Sequence, residues 1–290
     1  MQIDRHTDDF LTQARRQGGS AFFPALARRL VSDFWLREGQ VLDAFSYGTA
    51  RWLTADPLAE RLVIHRFAIG ARYAHAEALP ANVRSRYEAL DLSFRSDSPT
   101  FDECSLFTEA LTWLDRQPGL LETIALMVRS VHYLVSPGPG YDISHSDPDL
   151  PFSIFVSLPI AENNAALRLA ESILHEAMHL QLTLVEQAVP LIRNAQATGF
   201  SPWQQKDRPV RGLMHGLYVF RAIDEWLGAA SESGLGFDQH HYVAKRRGQI
   251  AEEIAMVSDL GSSPALTERG RHFVQWLIDG RGSGNASSID

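Results

Sequence analysis

Cysteine is almost absent from this chain. Cys104 is the only one, so no disulfide can form within the chain and a cysteine-rich zinc site is excluded. Histidine is much more frequent, with 11 residues. A transition metal bound by this chain must therefore be held by imidazole and carboxylate groups. We expect Cys104 itself to be a small buried hydrophobic residue away from the chemistry.

A basic surplus and long apolar runs are also missing. The chain has 27 Lys and Arg residues against 35 Asp and Glu residues, which gives a net charge of −8 at pH 7. Non-specific binding of nucleic acid needs a basic surface, so we expect no nucleic-acid partner. No stretch approaches the roughly 18 apolar residues of a membrane span, and residues 1–10 lack the apolar core of a signal peptide. We therefore expect a cytoplasmic protein without a membrane partner.

Apolar residues recur at helical spacing through most of the chain, and strand-like alternation is confined to its middle. Residues 125–135 and 151–159 have the composition and alternation of two strands around a loop. The segments with helical periodicity are residues 20–45, 101–117, 165–188, 207–231, 237–260 and 264–278. The pattern predicts an α+β fold that is mainly helical, with a small sheet before the long helix and no double-stranded β-helix.

The same pattern predicts the organisation of the chain. We expect a helical N-terminal lobe in residues 1–120, a core in residues 121–280 and a flexible tail of small polar residues at 281–290. No repeat or linker separates the first two parts, so the lobe is expected to belong to the same domain as the core.

The predicted long helix contains the sequence HEAMH at residues 175–179. His175 and His179 are four residues apart and share one helical face, so both imidazoles can bind one metal ion. Glu176 lies about 100° further round the helix, where the corresponding Glu of zinc hydrolases acts on a metal-bound water. Because this helix directly follows a strand, the motif predicts a zincin-like metal-binding core.

Two histidines leave such a site incomplete, because a catalytic metal needs a third protein ligand. Leu182 and Val185 stand where the metzincin extension requires Gly and His, so that class is excluded. Glu186 lies two turns beyond His179, about 10 Å along the axis, which is too far to bind the same ion. The next predicted helix offers His215 or Glu225, and spacing leaves both open.

The neighbours of His215 favour it over Glu225. Arg211 and Tyr218 lie four residues before and three residues after His215, so the three share a helical face. A cation, a ligand and a phenol together indicate a site for an anionic small molecule beside a metal. Glu225 is about 80° off that face. Gly212 and Gly216, which flank His215, allow another backbone or a ligand to come close.

Three segments together resemble the HExxH-motif peptide-modification family. They are SVHYLVSPGPGYDISHSDPDLPFSIFVSLP, ALRLAESILHEAMHLQLTLVEQ and SPWQQKDRPVRGLMHGLYVF, within residues 125–230. Members of that family occur beside ribosomally made peptide precursors. They are understood as iron(II)- and 2-oxoglutarate-dependent peptide β-hydroxylases.

The resemblance implies iron(II) and 2-oxoglutarate as cofactors, and a ribosomal precursor peptide as the substrate and partner. His175 and His179 correspond to two metal ligands, and we select His215 as the third, although most such oxygenases use two His and one carboxylate. Arg211 is the best-placed cation for the distal carboxylate of 2-oxoglutarate. The predicted cofactor-binding residues are Arg211, Tyr218 and, as the reserve cation, Arg129.

The role of Glu176 separates the alternatives. Hydroxylation needs no protein general base, so the resemblance implies that Glu176 orients a ligand or a metal-bound water. In a zinc(II)-dependent metallopeptidase, the main alternative, Glu176 is the general base. A third possibility is a non-catalytic peptide-binding protein on the same scaffold.

The loop between the two predicted strands is a further candidate. Loops of this length without secondary structure often carry function, although the same residue types also fill solvated turns. Its polar and aromatic residues are Tyr141, Asp142, His145, Ser146 and Asp147. We expect Asp142, His145, Ser146 and Asp147 to line the substrate entrance, with the strand at residues 152–158 offering an edge to an extended peptide.

Overall fold

The computed structural model describes residues 24–37, 63–95, 97–136, 138–160, 162–232 and 234–280. Internal contacts divide these residues into two compact units. The sheet unit comprises residues 24–184 and 229–240, and the helical unit comprises residues 185–228 and 241–280. The predicted tail at 281–290, and the predicted helix at 20–45 beyond residues 24–37, lie outside the described residues.

The sheet unit contains a mixed five-stranded sheet. Its strands are β1 (Val63–Ile69), β2 (Arg72–Glu77), β3 (Ser130–Leu134), β4 (Ser144–His145) and β5 (Ser153–Ser157), in the order β1-β2-β3-β5-β4. The three central strands are parallel, and the two edge strands are antiparallel to their neighbours. β3 and β5 are buried along their whole length, as expected for parallel strands covered on both faces.

The helices of the sheet unit begin and end at recognisable residues. They are α1 (Pro24–Arg37), α2 (Ala81–Glu88), α3 (Phe101–Asp115), α4 (Leu120–Met127) and α5 (Ala165–Ala188), whose last residues belong to the helical unit. α3 begins with a capping box, in which Thr100 and Glu103 satisfy each other's backbone N–H groups. α5 contains no Gly or Pro over 24 residues, and its predicted bounds are confirmed.

The helical unit contains a hairpin and three helices. Its elements are β6 (Thr198–Ser201), β7 (Lys206–Pro209), α6 (Val210–Ser231), α7 (Phe237–Ala255), a 3₁₀ turn (Leu260–Ser262) and α8 (Glu268–Asp279). The last residues of α6 and the first of α7 belong to the sheet unit. Arg221 donates to the carbonyl groups of Leu277 and Ile278 at 2.7 and 2.9 Å. A cation is favourable there because the last carbonyls of a helix have no partner within the helix.

Several elements differ from the sequence predictions. The predicted strand at residues 125–135 is shortened to β3, because residues 125–127 form the last turn of α4. Residues 63–77 form β1 and β2, although the first 120 residues were expected to be helical; the alternation of buried Phe67 and Ile69 with exposed Arg66 and Ala68 is that of a strand. Residues 206–209 form β7 and not the first turn of a helix, because they pair antiparallel with β6. The helix then begins directly after Pro209.

The predicted fold class is confirmed at the level of an α+β, mainly helical chain with a small sheet and no closed barrel among the described residues. No helix in the described ranges combines the length and apolar character needed to cross a bilayer.

His132 is a buried titratable group in the centre of the sheet. It is 1% exposed, its ring lies 5.0 Å from that of Phe155, and its Nδ1 lies 2.7 Å from the carbonyl oxygen of Glu77. A carbonyl only accepts, so Nδ1 carries the hydrogen and donates it. Burial lowers the pKa of His132 to about 4, against the opposing effect of this hydrogen bond.

His132 should make the protein less stable on acidification. Between the ordinary pKa of 6.5 and about 4, the unfolded chain binds a proton at this position and the folded chain does not. The free energy of unfolding should therefore fall as pH falls through this window, by up to about 3 kcal/mol from this group. Urea unfolding at several pH values should show a weaker pH dependence for His132→Gln than for the wild type. An equal dependence in both proteins would contradict the assignment.

Candidate functional site

Helix α5 brings the two motif histidines together in the sheet unit. The Nε2 atoms of His175 and His179 are 3.1 Å apart, and the ring centroids are 4.8 Å apart. Two nitrogens at about 2.1 Å from one ion and separated by this distance subtend an angle of roughly 95°. Both rings are partly exposed, whereas Ala177 and Met178 between them are fully buried. The pair therefore fits adjacent positions on a single transition-metal ion.

The motif carboxylate is held by hydroxyl groups from the sheet edge. Glu176 is 3% exposed. Ser144 Oγ donates to its Oε1 and Ser146 Oγ to its Oε2, each at 2.6 Å. Alternate residues of an extended chain point to the same side, so these serines face Glu176 together while His145 points away. The Oε1 atom also lies 3.9 Å from His175 Nε2. The carboxylate is thus fixed beside the histidine pair through both oxygens.

The other polar residues of the same loop hold it in place. Arg168 donates to Asp142 at 2.7 Å and to Glu162 at 3.2 Å. Asp147 accepts from the Tyr87 hydroxyl at 2.9 Å. An ion pair at one end of the loop and a hydrogen bond at the other therefore position the serines. The role of the loop as a substrate entrance stays a prediction.

Sequence reasoning found Ser146 but missed Ser144. The available indication was the spacing: two serines two residues apart, in an extended segment before a buried strand, present both hydroxyls to one side. What they contact depends on the packing of β4 against α5.

The predicted peptide-binding edge at residues 152–158 is wrong for the middle of that strand. β5 pairs with β3 on one side, and on the other β4 pairs with Phe155 and Val156. The backbone N–H of Ser157 donates to the Ile143 carbonyl at 2.9 Å. The short strand β4, which the sequence pattern did not reveal, therefore occupies the edge.

The helical unit contains a second cluster, formed by Arg211 and His215 of α6 with Glu186. Arg211 Nε and Nη2 lie 2.9 and 2.7 Å from Glu186 Oε2, and His215 Nε2 lies 2.9 Å from the same oxygen. Burial raises the pKa of Glu186, but the hydrogen bonds and charges of His215 and Arg211 outweigh it, so the net shift is downward. The sequence spacing excluded Glu186 as a ligand of a metal bound at HEAMH, and it did not predict the contacts of Glu186 with Arg211 and His215.

The remaining predicted residues lie in varied surroundings. Tyr218 is 1% exposed and packs on Phe273 at 5.7 Å between ring centroids. Arg129 is buried just before β3, and burial together with the charge of Arg72 lowers its pKa to about 10. Glu225 is partly exposed in α6. Their roles in binding stay predictions.

The close approach at Gly216 comes from a side chain, and not from the backbone or ligand that was expected there and at Gly212. At Gly212 the nearest atom to an added Cβ would be Arg208 Nε, at 3.8 Å. A Cβ atom on Gly216 would lie 2.6 Å from the ring of Trp203, so a larger side chain at this position has no room. Trp203 in turn stacks on Phe220. The group that comes close is therefore a tryptophan of the chain itself.

The third metal ligand also stays a prediction. Across the described ranges, no group of three or more His, Cys, Asp or Glu side chains is arranged to hold a metal ion. His175 and His179 lie in the sheet unit, whereas His215 lies in the helical unit.

The serine bonds to Glu176 predict a stability effect. Ser144→Ala and Ser146→Ala each leave a buried carboxylate oxygen without a donor, so each should lower the free energy of unfolding by about 1 to 3 kcal/mol. Ser136→Ala is the matched control, because Ser136 lies exposed near the start of the same loop and its hydroxyl hydrogen-bonds there with the backbone groups of Gly138 and Tyr141. Chemical unfolding measures all three. Equal stability of the control and both site variants would show that the serines do not hold Glu176.

Comparison with known proteins identifies no family for this chain. A scan against protein-family models finds none that matches the chain, and a search of curated proteins finds none with significant similarity.

Proposed function

We propose that this chain is an iron(II)- and 2-oxoglutarate-dependent oxygenase with a zincin-like core, and that it hydroxylates a side-chain β-carbon of a ribosomally synthesised precursor peptide. The supporting observation is the histidine pair of α5, with Nε2 atoms 3.1 Å apart, beside a carboxylate held through both oxygens. The resemblance of residues 125–230 to the HExxH-motif peptide-modification family supplies the reaction type.

The contacts of Glu176 favour oxygenation over hydrolysis. A general base needs an oxygen directed at the water that it deprotonates. Both Glu176 oxygens instead accept serine hydroxyls, and the side chain is almost fully buried. A carboxylate fixed in this way is suited to orienting a neighbouring ligand, which is the role that a metal-bound histidine commonly requires from its surroundings.

In the proposed reaction, bound iron(II) would allow O₂ to oxidise 2-oxoglutarate to succinate and CO₂, while the second oxygen atom is inserted into the β-C–H bond of the peptide. His175 and His179 hold the metal, with His215 as the predicted third ligand and Glu225 as its alternative. Arg211 binds the distal carboxylate of 2-oxoglutarate, because its planar guanidinium pairs well with carboxylates. Arg129 is the reserve for this role, and Tyr218 is the predicted phenol of the same site.

A zinc-dependent metallopeptidase is the second candidate. It is favoured by the 3.9 Å distance between Glu176 Oε1 and His175 Nε2, which keeps the carboxylate near any ion that His175 binds. In this case Glu176 would act as the general base on a metal-bound water.

The two candidates give different products from one peptide. The metal-free protein is supplied with iron(II) or zinc(II), with or without 2-oxoglutarate, and with the precursor peptide encoded beside it. We expect the peptide to gain the mass of one oxygen atom only with iron(II), 2-oxoglutarate and air together. Mass spectrometry would reveal cleavage with zinc(II) alone if the peptidase candidate were correct, and an unchanged peptide under every condition would contradict both.

Metal binding tests the ligands separately from the reaction. His175→Ala, His179→Ala and His215→Ala should each abolish retention of iron(II) or zinc(II) after gel filtration, as measured by elemental analysis. His272→Ala is the control, because this histidine is exposed on α8. Loss of metal in Glu225→Ala but not in His215→Ala would transfer the third-ligand role to Glu225.

A further inference from the structure

The cluster of Glu186, Arg211 and His215 has an unusual hydrogen-bond arrangement. Arg211 Nε, Arg211 Nη2 and His215 Nε2 all approach the single oxygen Oε2 of Glu186, at 2.9, 2.7 and 2.9 Å. The strongest guanidinium–carboxylate pairing uses two parallel bonds to two different oxygens. None of these three contacts uses Oε1, so Glu186 does not pair with Arg211 in that way.

The three side chains of the cluster differ in their exposure to solvent. The side chain of His215 is 9% exposed and that of Glu186 is 13% exposed, whereas that of Arg211 is 45% exposed. A dissolved anion can therefore reach Arg211 first and His215 only behind it. Glu186 lies two residues before the end of α5, where a flexible side chain can rotate away without disturbing the interior of the helix.

We propose that Glu186 is the internal occupant of an anion site formed by Arg211 and His215, and that the carboxylate of a small dicarboxylate exchanges with it. The identity of that ligand as 2-oxoglutarate rests on the proposed function, whereas the exchange rests on the cluster alone. An incoming carboxylate can offer both oxygens to Nε and Nη2 of Arg211 and so gain the parallel pairing that Glu186 lacks.

The internal carboxylate then tunes the affinity of the site. A ligand binds only to those molecules in which the Glu186 carboxylate has moved away from Arg211 and His215. The apparent association constant is therefore the intrinsic one multiplied by the fraction of molecules in that state. The negative charge of Glu186 also offsets the positive charge of Arg211 near the bound anion. Removal of the Glu186 charge should therefore strengthen anion binding, which is the opposite of what loss of a supporting contact would do.

Calorimetry on the metal-free full chain tests this exchange, with 2-oxoglutarate, succinate and inorganic phosphate as probes. Glu186→Gln should bind 2-oxoglutarate and succinate at least about tenfold more tightly than the wild type, and Arg211→Ala should lose this binding. Asp224→Asn is the matched control, because Asp224 accepts from Arg247 at 2.9 Å and lies 3.6 Å from Arg221 in the same unit. It should leave the affinity unchanged.

Other outcomes would overturn the proposal. Equal or weaker binding by a folded Glu186→Gln would make Glu186 a structural partner of Arg211, and the absence of binding in every variant would remove the anion site. Glu186→Asp, whose shorter side chain withdraws from Arg211, repeats the test if the first variant unfolds on thermal melting. Tight binding of phosphate alone would overturn the dicarboxylate assignment. The calorimetry contains neither metal nor peptide, so its result does not depend on whether the chain hydroxylates a peptide. Failure of the proposed function and failure of the anion site can therefore be told apart.

Discussion

The carboxylate of Glu176, buried between helix and sheet edge, is the group on which the proposed metal centre depends. A buried charge is costly unless hydrogen bonds compensate it, and here the hydroxyl groups of Ser144 and Ser146 do so at 2.6 Å each. These two bonds connect β4 to α5 at the level of the motif. They also fix the rotation of α5 about its axis, because Glu176 must face the serines. His175 and His179 are then directed to the partly exposed side of the helix.

The sheet supplies the position of those serines. β3 and β5 are buried, and the two-residue strand β4 forms the edge beside β5 from which Ser144 reaches Glu176 of α5. β4 is held by its pairing with β5 and by ion pairs of the flanking loop, in which Arg168 contacts Asp142 and Arg86 contacts Asp147. A long polar loop is therefore rigid where it meets the motif. This rigidity is what a preorganised carboxylate requires.

Two of the three carboxylates of helix α5, Glu176 and Glu186, have contrasting surroundings. Glu176 is almost fully buried and is bonded through both oxygens by neutral hydroxyls. Glu186, ten residues later, is bonded through one oxygen by a partly exposed arginine and a histidine. The first arrangement suits a fixed positioning group, and the second suits a group that can be exchanged. The chemical difference lies in the donors that neighbouring elements supply, since the two side chains are identical.

The amino-acid sequence alone determined the long helix, the histidine pair on one of its faces and the α+β class, because helical periodicity and i, i+4 spacing are local properties. It also indicated that Arg211 and His215 share a face of α6. Only the tertiary structure decided that Ser144 and Ser146 hold Glu176, that β4 covers the middle of β5, and that the Glu186 carboxylate pairs with Arg211 and His215. The side-chain contacts join residues 25 to 32 positions apart, and no local pattern encodes which side chain meets which across such a separation. The strands β1 and β2 were missed for a related reason: whether a short alternating segment forms a strand depends on the strands that pair with it.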